Sequence, residues 1–219
     1  MIRPRVPETD HGIQGAATVA TFDAFARRMR DKGYHPIQAY LQAGLTGGRA
    51  LEIGPGPGYV GLEWLRRCPG AELTGLEISP DMLRLAERNA SDYGSADCVR
   101  YVPGDCSALP FASDTFDCVF SNGSLHEWTR PDLAFIEIQR VLKPGGAFCV
   151  TDLRRDLGVF ACCLGLWTAG SPLMCAGFLT SRNAAYTVAE MEQLLVHLPG
   201  VSCSVSQGFL HLAVTGRKL

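Results

Sequence analysis

Residues 50–65 read ALEIGPGPGYVGLEWL, and two sets of glycines can be taken from them. Gly54, Gly56 and Gly58 follow directly on the apolar run that carries Glu52. Gly56, Gly58 and Gly61 spell G-x-G-x-x-G, the dinucleotide-binding spacing. The second register would carry a central strand through Gly54 and Pro55 before its first glycine, and proline cannot donate a ladder hydrogen bond there. The first register ends the strand at Ile53. It also sets the Glu52 carboxylate beside the loop, where it would repel a pyrophosphate and attract a cation. Glycines suit either ligand, because they admit backbone angles closed to other residues and let the chain approach closely.

Outward from this loop, short apolar runs alternate with helical patterns, which is the α/β signature. Strands are expected at 49–53, 72–78, 99–104, 116–121 and 146–152, then at 201–207 and 210–216. The first five are separated by long, mostly helical connections, as parallel neighbours require. The last two are joined by too few residues for a crossover, so they should form an antiparallel hairpin. The expected fold is a doubly wound, Rossmann-like seven-stranded sheet, mostly parallel, with its ligand crevice at the carboxyl ends of the early strands. Helices are marked by Val19, Phe22, Ala26 and Met29 on one stripe, and by Val188, Met191, Leu195 and Leu198 on another. The second follows a capping box of Thr187 and Glu190. Pro131 should open a further helix that LKPGG at 142–146 stops.

The whole chain bounds the partners. Its 219 residues are 47% hydrophobic and 19% charged with a formal net charge of −2, so nothing asks for nucleic acid. The nine cysteines have no zinc-ligand spacing, and no apolar segment follows the charged start, so reduced thiols and a cytoplasmic location are expected. Residues 157–181 carry no charged side chain over a length that could cross a bilayer. Pro172 and several glycines interrupt them, and a pair of lid helices is expected ahead of membrane contact.

With those segments in place, LEIGPGPG at 51–58 resembles the first motif of class I S-adenosylmethionine-dependent methyltransferases. LTGLEISPDML at 73–83, VPGDCSALPF at 102–111, FDCVFSNGSLHEW at 116–128 and RVLKPGG at 140–146 agree in order. The style is similar to the UbiE-like small-molecule branch. The resemblance implies a core over 46–219 with an apolar lid at 157–181, and a helical cap over 1–45. It implies S-adenosylmethionine as cofactor, S-adenosylhomocysteine as its product and a small-molecule methyl acceptor. Gly54, Gly56 and Gly58 would line the methionine part, and Glu52 would hold its amino group. Glu77 would take the ribose, Ile78 and Met82 the adenine faces, and Asp105 with the Cys106 backbone the adenine edge. Ser121 and Asn122 would sit beside the sulfonium.

A base helps if the acceptor is a hydroxyl or a protonated amine. His126 is the first candidate and Asp152 the second, with a structural pairing of Asp152 with Arg154 or Arg155 as the alternative to its catalytic role. His11 and Tyr186 are weaker candidates for the same pocket. No metal site is expected. Two rival functions stand beside methyl transfer: a non-catalytic cofactor-binding regulator and an NAD-dependent oxidoreductase. The oxidoreductase lacks the Tyr-x-x-x-Lys pair of the short-chain type.

Overall fold

The computed structural model describes residues 4–8, 12–196, 198 and 200–219; His11 lies outside them. Helices α1 (Ala16–Asp31) and α2 (Ile37–Gln42) precede β1 (Arg49–Ile53), which is followed by α3 (Tyr59–Arg67), β2 (Glu72–Glu77), α4 (Pro80–Asp92) and β3 (Val99–Pro103). Next come β4 (Phe116–Asn122), a 3-10 turn (Leu125–Glu127), α5 (Pro131–Val141) and β5 (Leu142–Leu153). Helices α6 (Val159–Ala169), α7 (Pro172–Ala184) and α8 (Val188–Leu195) lead to the strands β6 (Val201–Gln207) and β7 (His211–Lys218).

The seven strands lie in the order β3-β2-β1-β4-β5-β7-β6. The first five are parallel, and β7 runs antiparallel between β5 and β6. Strand order reverses between β1 and β4, and the crevice at that switch point is where an open α/β sheet takes its ligand. Alternate side chains divide the core. Leu51, Val119, Phe148 and Val150 pack on one face with Phe135 and Met191. Ala50, Cys118, Phe120 and Cys149 pack on the other with Trp64 and Tyr40. Burying both faces is what makes these strands read as continuous apolar runs.

Local chemistry sets the helix ends. Ser79 caps α4 by accepting from the Met82 N–H, with Pro80 in the first turn, and the reciprocal Thr187–Glu190 box opens α8. At the end of α5, LKPGG does not form a loop. The chain passes straight from Val141 into β5, four residues earlier than the sequence pattern suggests, with a shifted register opposite Phe116 and Cys118. Gly146 permits this, since a side chain there would meet the Lys143 and Asp117 carbonyl oxygens at 2.9 and 3.0 Å.

The uncharged stretch 157–181 folds as α6 and most of α7. Among the described residues no helix is long and apolar enough to cross a membrane. Phe160 and Trp167 of α6 point outward, 75% and 74% exposed, while Gly165 and Ala169 of the same helix line an interior cavity. All nine cysteines are free.

Candidate active site

A cavity of about 1400 Å³ opens at the switch point. Its floor is the glycine loop after β1. The strand ends at Ile53 and α3 starts at Tyr59, so Gly54, Gly56 and Gly58 form the turn, at φ +65°, +53° and +84°. Gly61 belongs to α3, where a Cβ would fall 2.2 Å from Glu52 Oε2 and 2.5 Å from Leu73 Cδ2. All four glycines are therefore required, the first three for backbone angle and the fourth for close packing of helix on strand.

Glu52 does not sit where its charge faces a ligand in the open. It is 2% exposed, and its Oε2 has no hydrogen-bond partner among the described residues, while the nearby Gly61 N–H favours the charged form. Burial pushes its pKa up to about 8, with the Glu77 charge adding to the rise. The position of the strand end, and not the Glu52 charge, therefore settles the glycine register.

Glu77, at the end of β2, faces the cavity and accepts the Gly56 and Ser79 N–H groups, each at 2.9 Å. Burial raises its pKa against the pull of those donors. Ile78 is 43% exposed at the rim, and Met82 is buried beneath it. Asp105 accepts the Ser107 N–H at 2.8 Å, and Cys106 follows it along the wall. Asn122 lines the cavity and accepts from the Thr151 hydroxyl at 2.9 Å.

Two expected contacts are absent from this wall. Gly58 turns away as the α3 cap, with the Tyr101 hydroxyl 2.5 Å from where its Cβ would be. Ser121 is wholly buried, and its hydroxyl bonds to the Ile53 carbonyl oxygen and the Ser124 hydroxyl, each at 2.7 Å. Strand alternation turns it away from the crevice.

At the other end, His126 and Asp152 form one unit and not two independent bases. The 3-10 turn after β4 brings His126 against the end of β5, where Asp152 accepts its backbone N–H at 2.6 Å and contacts Nδ1 at 2.9 Å. Nε2 faces Glu8 Oε2 at 3.3 Å and Glu127 Oε1 at 4.0 Å. Burial alone would lower the His126 pKa. Asp152, Glu8 and Glu127 outweigh it and carry the ring up to about 10, which favours the protonated imidazole. Burial likewise pushes Glu127 up to about 7. Arg154 pairs with Asp156 at 3.3 Å and Arg155 with Glu190, leaving Asp152 to the histidine.

The amino-terminal stretch lies across both ends. The Arg5 guanidinium donates to the His126 carbonyl oxygen at 2.9 Å and stacks on Tyr186 at 4.3 Å, so Tyr186 braces this stretch and is not part of the cavity wall. The Ser79 hydroxyl donates to the Ile13 carbonyl oxygen, and the Gly15 N–H donates to Asp81 at 2.8 Å. Phe22, Phe25 and Met29 of α1 close the cavity from the same side. No α1 residue is fully buried, so its apolar stripe faces the cavity rather than the core.

A methyltransferase-domain model matches residues 51–150. A solved S-adenosylmethionine-dependent methyltransferase from Aquifex aeolicus superposes with a TM-score of 0.67 at 18% identity, over 84% of this chain and 89% of the other. The plantazolicin methyltransferase BpumL, solved with S-adenosylhomocysteine, superposes at 0.74 with 15% identity, over 94% and 91%. The fold is that of the class I methyltransferases. Within it, the ubiquinone/menaquinone biosynthesis C-methyltransferase UbiE of Cereibacter sphaeroides is 38% identical over 109 residues, 50% of this chain and 44% of that protein. A fatty-acid O-methyltransferase of Mycolicibacterium smegmatis is 36% identical over 121 residues, 55% and 42%. The match thus spans less than half the length of these curated relatives. The glycine loop, Glu77, Asp105 and His126 of this methyltransferase fold all fall inside the matched stretch, whereas Glu8, α1, Asp152 and α7 fall outside the family model. Sequence reasoning missed Glu8 and Glu127. The pairing of Glu127 with His126 in LHEW was the one visible signal.

Proposed function

We propose that this chain is an S-adenosylmethionine-dependent methyltransferase that moves a methyl group onto a small, hydrophobic acceptor by in-line displacement. The observation that carries the reading is Glu77, a nearly buried carboxylate at the end of β2, facing a cavity floored by left-handed glycines. The residues fit a nucleoside with a cationic centre better than a diphosphate. Of the described residues lining the cavity, Arg30 is the one lysine or arginine, and it bonds to Tyr93 and Asp31 rather than to the loop. The volume, about 1400 Å³, exceeds the roughly 300–1000 Å³ of a one-ligand pocket and suits cofactor and acceptor together.

Glu77 takes the ribose hydroxyls, Ile78 and Met82 flank the adenine, and Asp105 with the Cys106 N–H meets its edge. Gly54 and Gly56 line the methionine part with Asn122 near the sulfonium end. Glu52, in the cavity lining beside Gly61, holds the methionine amino group directly or through water. When bound, the cofactor supplies a methyl carbon already activated by the sulfonium charge. The chain's own contribution is alignment and exclusion of water. Residues 1–45 act as the cap, and the inner faces of α6 and α7, with Met174 and Phe178, form the apolar lid. His126 holds its proton and, through Glu8 and its own carbonyl oxygen, fastens the cap.

We place the chain with the UbiE-like small-molecule enzymes. Free thiols support a reducing, cytoplasmic setting, and a net charge of −2 argues against a nucleic-acid partner.

Calorimetry with S-adenosylmethionine and with NADH tests this. The first should bind and the second should not. Glu77→Ala should weaken binding about 10- to 100-fold, the worth of lost charged hydrogen bonds at about 1.5–3 kcal/mol. Labelled methyl transfer to a panel of quinols, phenols, sterols and fatty acids then separates an enzyme from a cofactor-binding regulator, which would bind without turnover.

A further inference from the structure

The acceptor end of the cavity carries a second constellation that methyl transfer does not need. Asp152, 3% exposed, accepts from the backbone N–H of His126, contacts its Nδ1 and accepts the Leu153 N–H at 2.7 Å. These bonds hold the imidazole plane and commit Nδ1 to Asp152, so the ring presents Nε2 to the cavity. Facing Nε2 are two carboxylates from separate parts of the chain, Glu8 at 3.3 Å and Glu127 at 4.0 Å. One donor atom from each of the three side chains lies within 4.8 Å of the others, and all three line the cavity.

We infer that Glu8, His126 and Glu127 form a binding site for a divalent first-row transition-metal ion, with Asp152 orienting the histidine from behind. Two carboxylates gathered at one imidazole nitrogen require positive charge there. A proton on Nε2 points along one direction and reaches Glu8; at 4.0 Å it makes no hydrogen bond to Glu127. An ion with several coordination positions serves all three. Bonds of about 2.0–2.2 Å to nitrogen and oxygen place neighbouring donors about 3.0–3.5 Å apart. The Glu8 spacing already meets that, and the Glu127 side chain, 28% exposed at 4.0 Å, has to close in on Nε2.

The carboxylate behind the imidazole is the usual support of a metal-bound histidine, because it fixes the ring and raises the basicity of the other nitrogen. The donor set also selects the ion. One imidazole with two carboxylates suits Mn²⁺, Fe²⁺, Co²⁺ or Zn²⁺ over Ca²⁺ and Mg²⁺, which prefer all-oxygen shells. Three protein ligands leave the remaining positions open to the cavity, the arrangement of a site that binds an exchangeable oxygen ligand rather than a sealed structural centre. Metal uptake displaces the Nε2 proton to solvent, so binding should release a proton. The site does not depend on the methyl-transfer reading.

The experiment uses the full chain, stripped with chelator. Binding of Mn²⁺, Co²⁺, Zn²⁺ and Mg²⁺ is measured by calorimetry in two buffers of different ionisation enthalpy, and the Co²⁺ form by visible absorption. Expected are one ion per chain, at least tenfold preference for Co²⁺ or Zn²⁺ over Mg²⁺, proton release, and a Co²⁺ spectrum with nitrogen–oxygen ligation. Glu8→Gln and Glu127→Gln should each weaken binding tenfold or more, with thermal unfolding of the metal-free variants showing that they fold. Absence of one-to-one binding in folded wild-type chain, or binding that neither variant weakens, would overturn the site and leave a proton alone between these groups. Cofactor titrations on the same samples report separately on the methyltransferase reading.

Discussion

The two ends of the cavity are built on different principles. At the Glu77 end, backbone does most of the work: left-handed glycines, exposed N–H groups and one carboxylate that gathers them, all within residues 52–106. At the His126 end, side chains from residues 8, 126, 127 and 152 meet through the tertiary fold. A ligand held by backbone geometry tolerates change in the surrounding side chains, whereas charges assembled from distant segments are coupled, so altering one alters the others.

Four substitutions press on that contrast. The largest effect is expected at Asp152. Removing one member of a buried ion pair costs about 3–5 kcal/mol, so Asp152→Ala should lower the unfolding midpoint by about 10 °C, as calorimetric melting would show. A shift under about 2 °C would mean that the His126 end is not a coupled unit.

Gly54→Ala should come next. It forces a side chain into φ +65° and against Ser124 Cβ at 2.6 Å. A loss of about 2–3 kcal/mol and of measurable cofactor binding is expected, and wild-type affinity would refute a backbone-built floor.

Glu52 tests the same floor by pH. Its carboxyl is held at about 8 in the fold against an ordinary 4.5, so the folded state keeps a proton that the unfolded chain releases. Stability should therefore fall as pH rises from about 4.5 through about 8. Glu52→Gln should flatten that slope and gain on the order of 1–3 kcal/mol at pH 8.5, read from denaturant unfolding at several pH values. An unchanged slope would assign the pH dependence to other groups.

The smallest effect is expected at Arg5. Arg5→Ala removes the stack on Tyr186 and the bond to the His126 carbonyl oxygen. Global stability should change by about 1 kcal/mol or less, while exchange of the Val6 amide, bonded to the Asn183 carbonyl oxygen, accelerates at least tenfold.

The same contrast explains what sequence could reveal. Strand positions, their parallel run and the closing hairpin follow from periodicity and connection length, both local properties. The start of β5 at Leu142 did not, because Pro144 and two glycines signal a loop while the sheet tolerates them in a bulged first turn. The Glu77 end was legible for a related reason, since its residues sit in short motifs at fixed offsets from strand ends. His126 was visible as a residue but not as an imidazolium. Its charge state depends on Asp152, 26 positions on, and on Glu8, 118 positions back, which only the packed fold brings together. Sequence alone does not give the face of β4 from which Ser121 projects. The apolar stripe on α1 is plain from periodicity, which does not say whether it meets a cavity or the core.

The amino-terminal stretch is anchored at both ends of the cavity, through Ile13 and Gly15 on the Ser79 and Asp81 side and through Arg5 and Glu8 on the His126 side. Anchors at both ends of the cavity make its two ends thermodynamic partners. Any occupant that tightens one anchor and lowers the free energy of the fastened state does so for the other by the same amount, and the debt is mutual. Occupancy of the Glu77 side would thus be felt, without direct contact, by whatever docks beside the histidine.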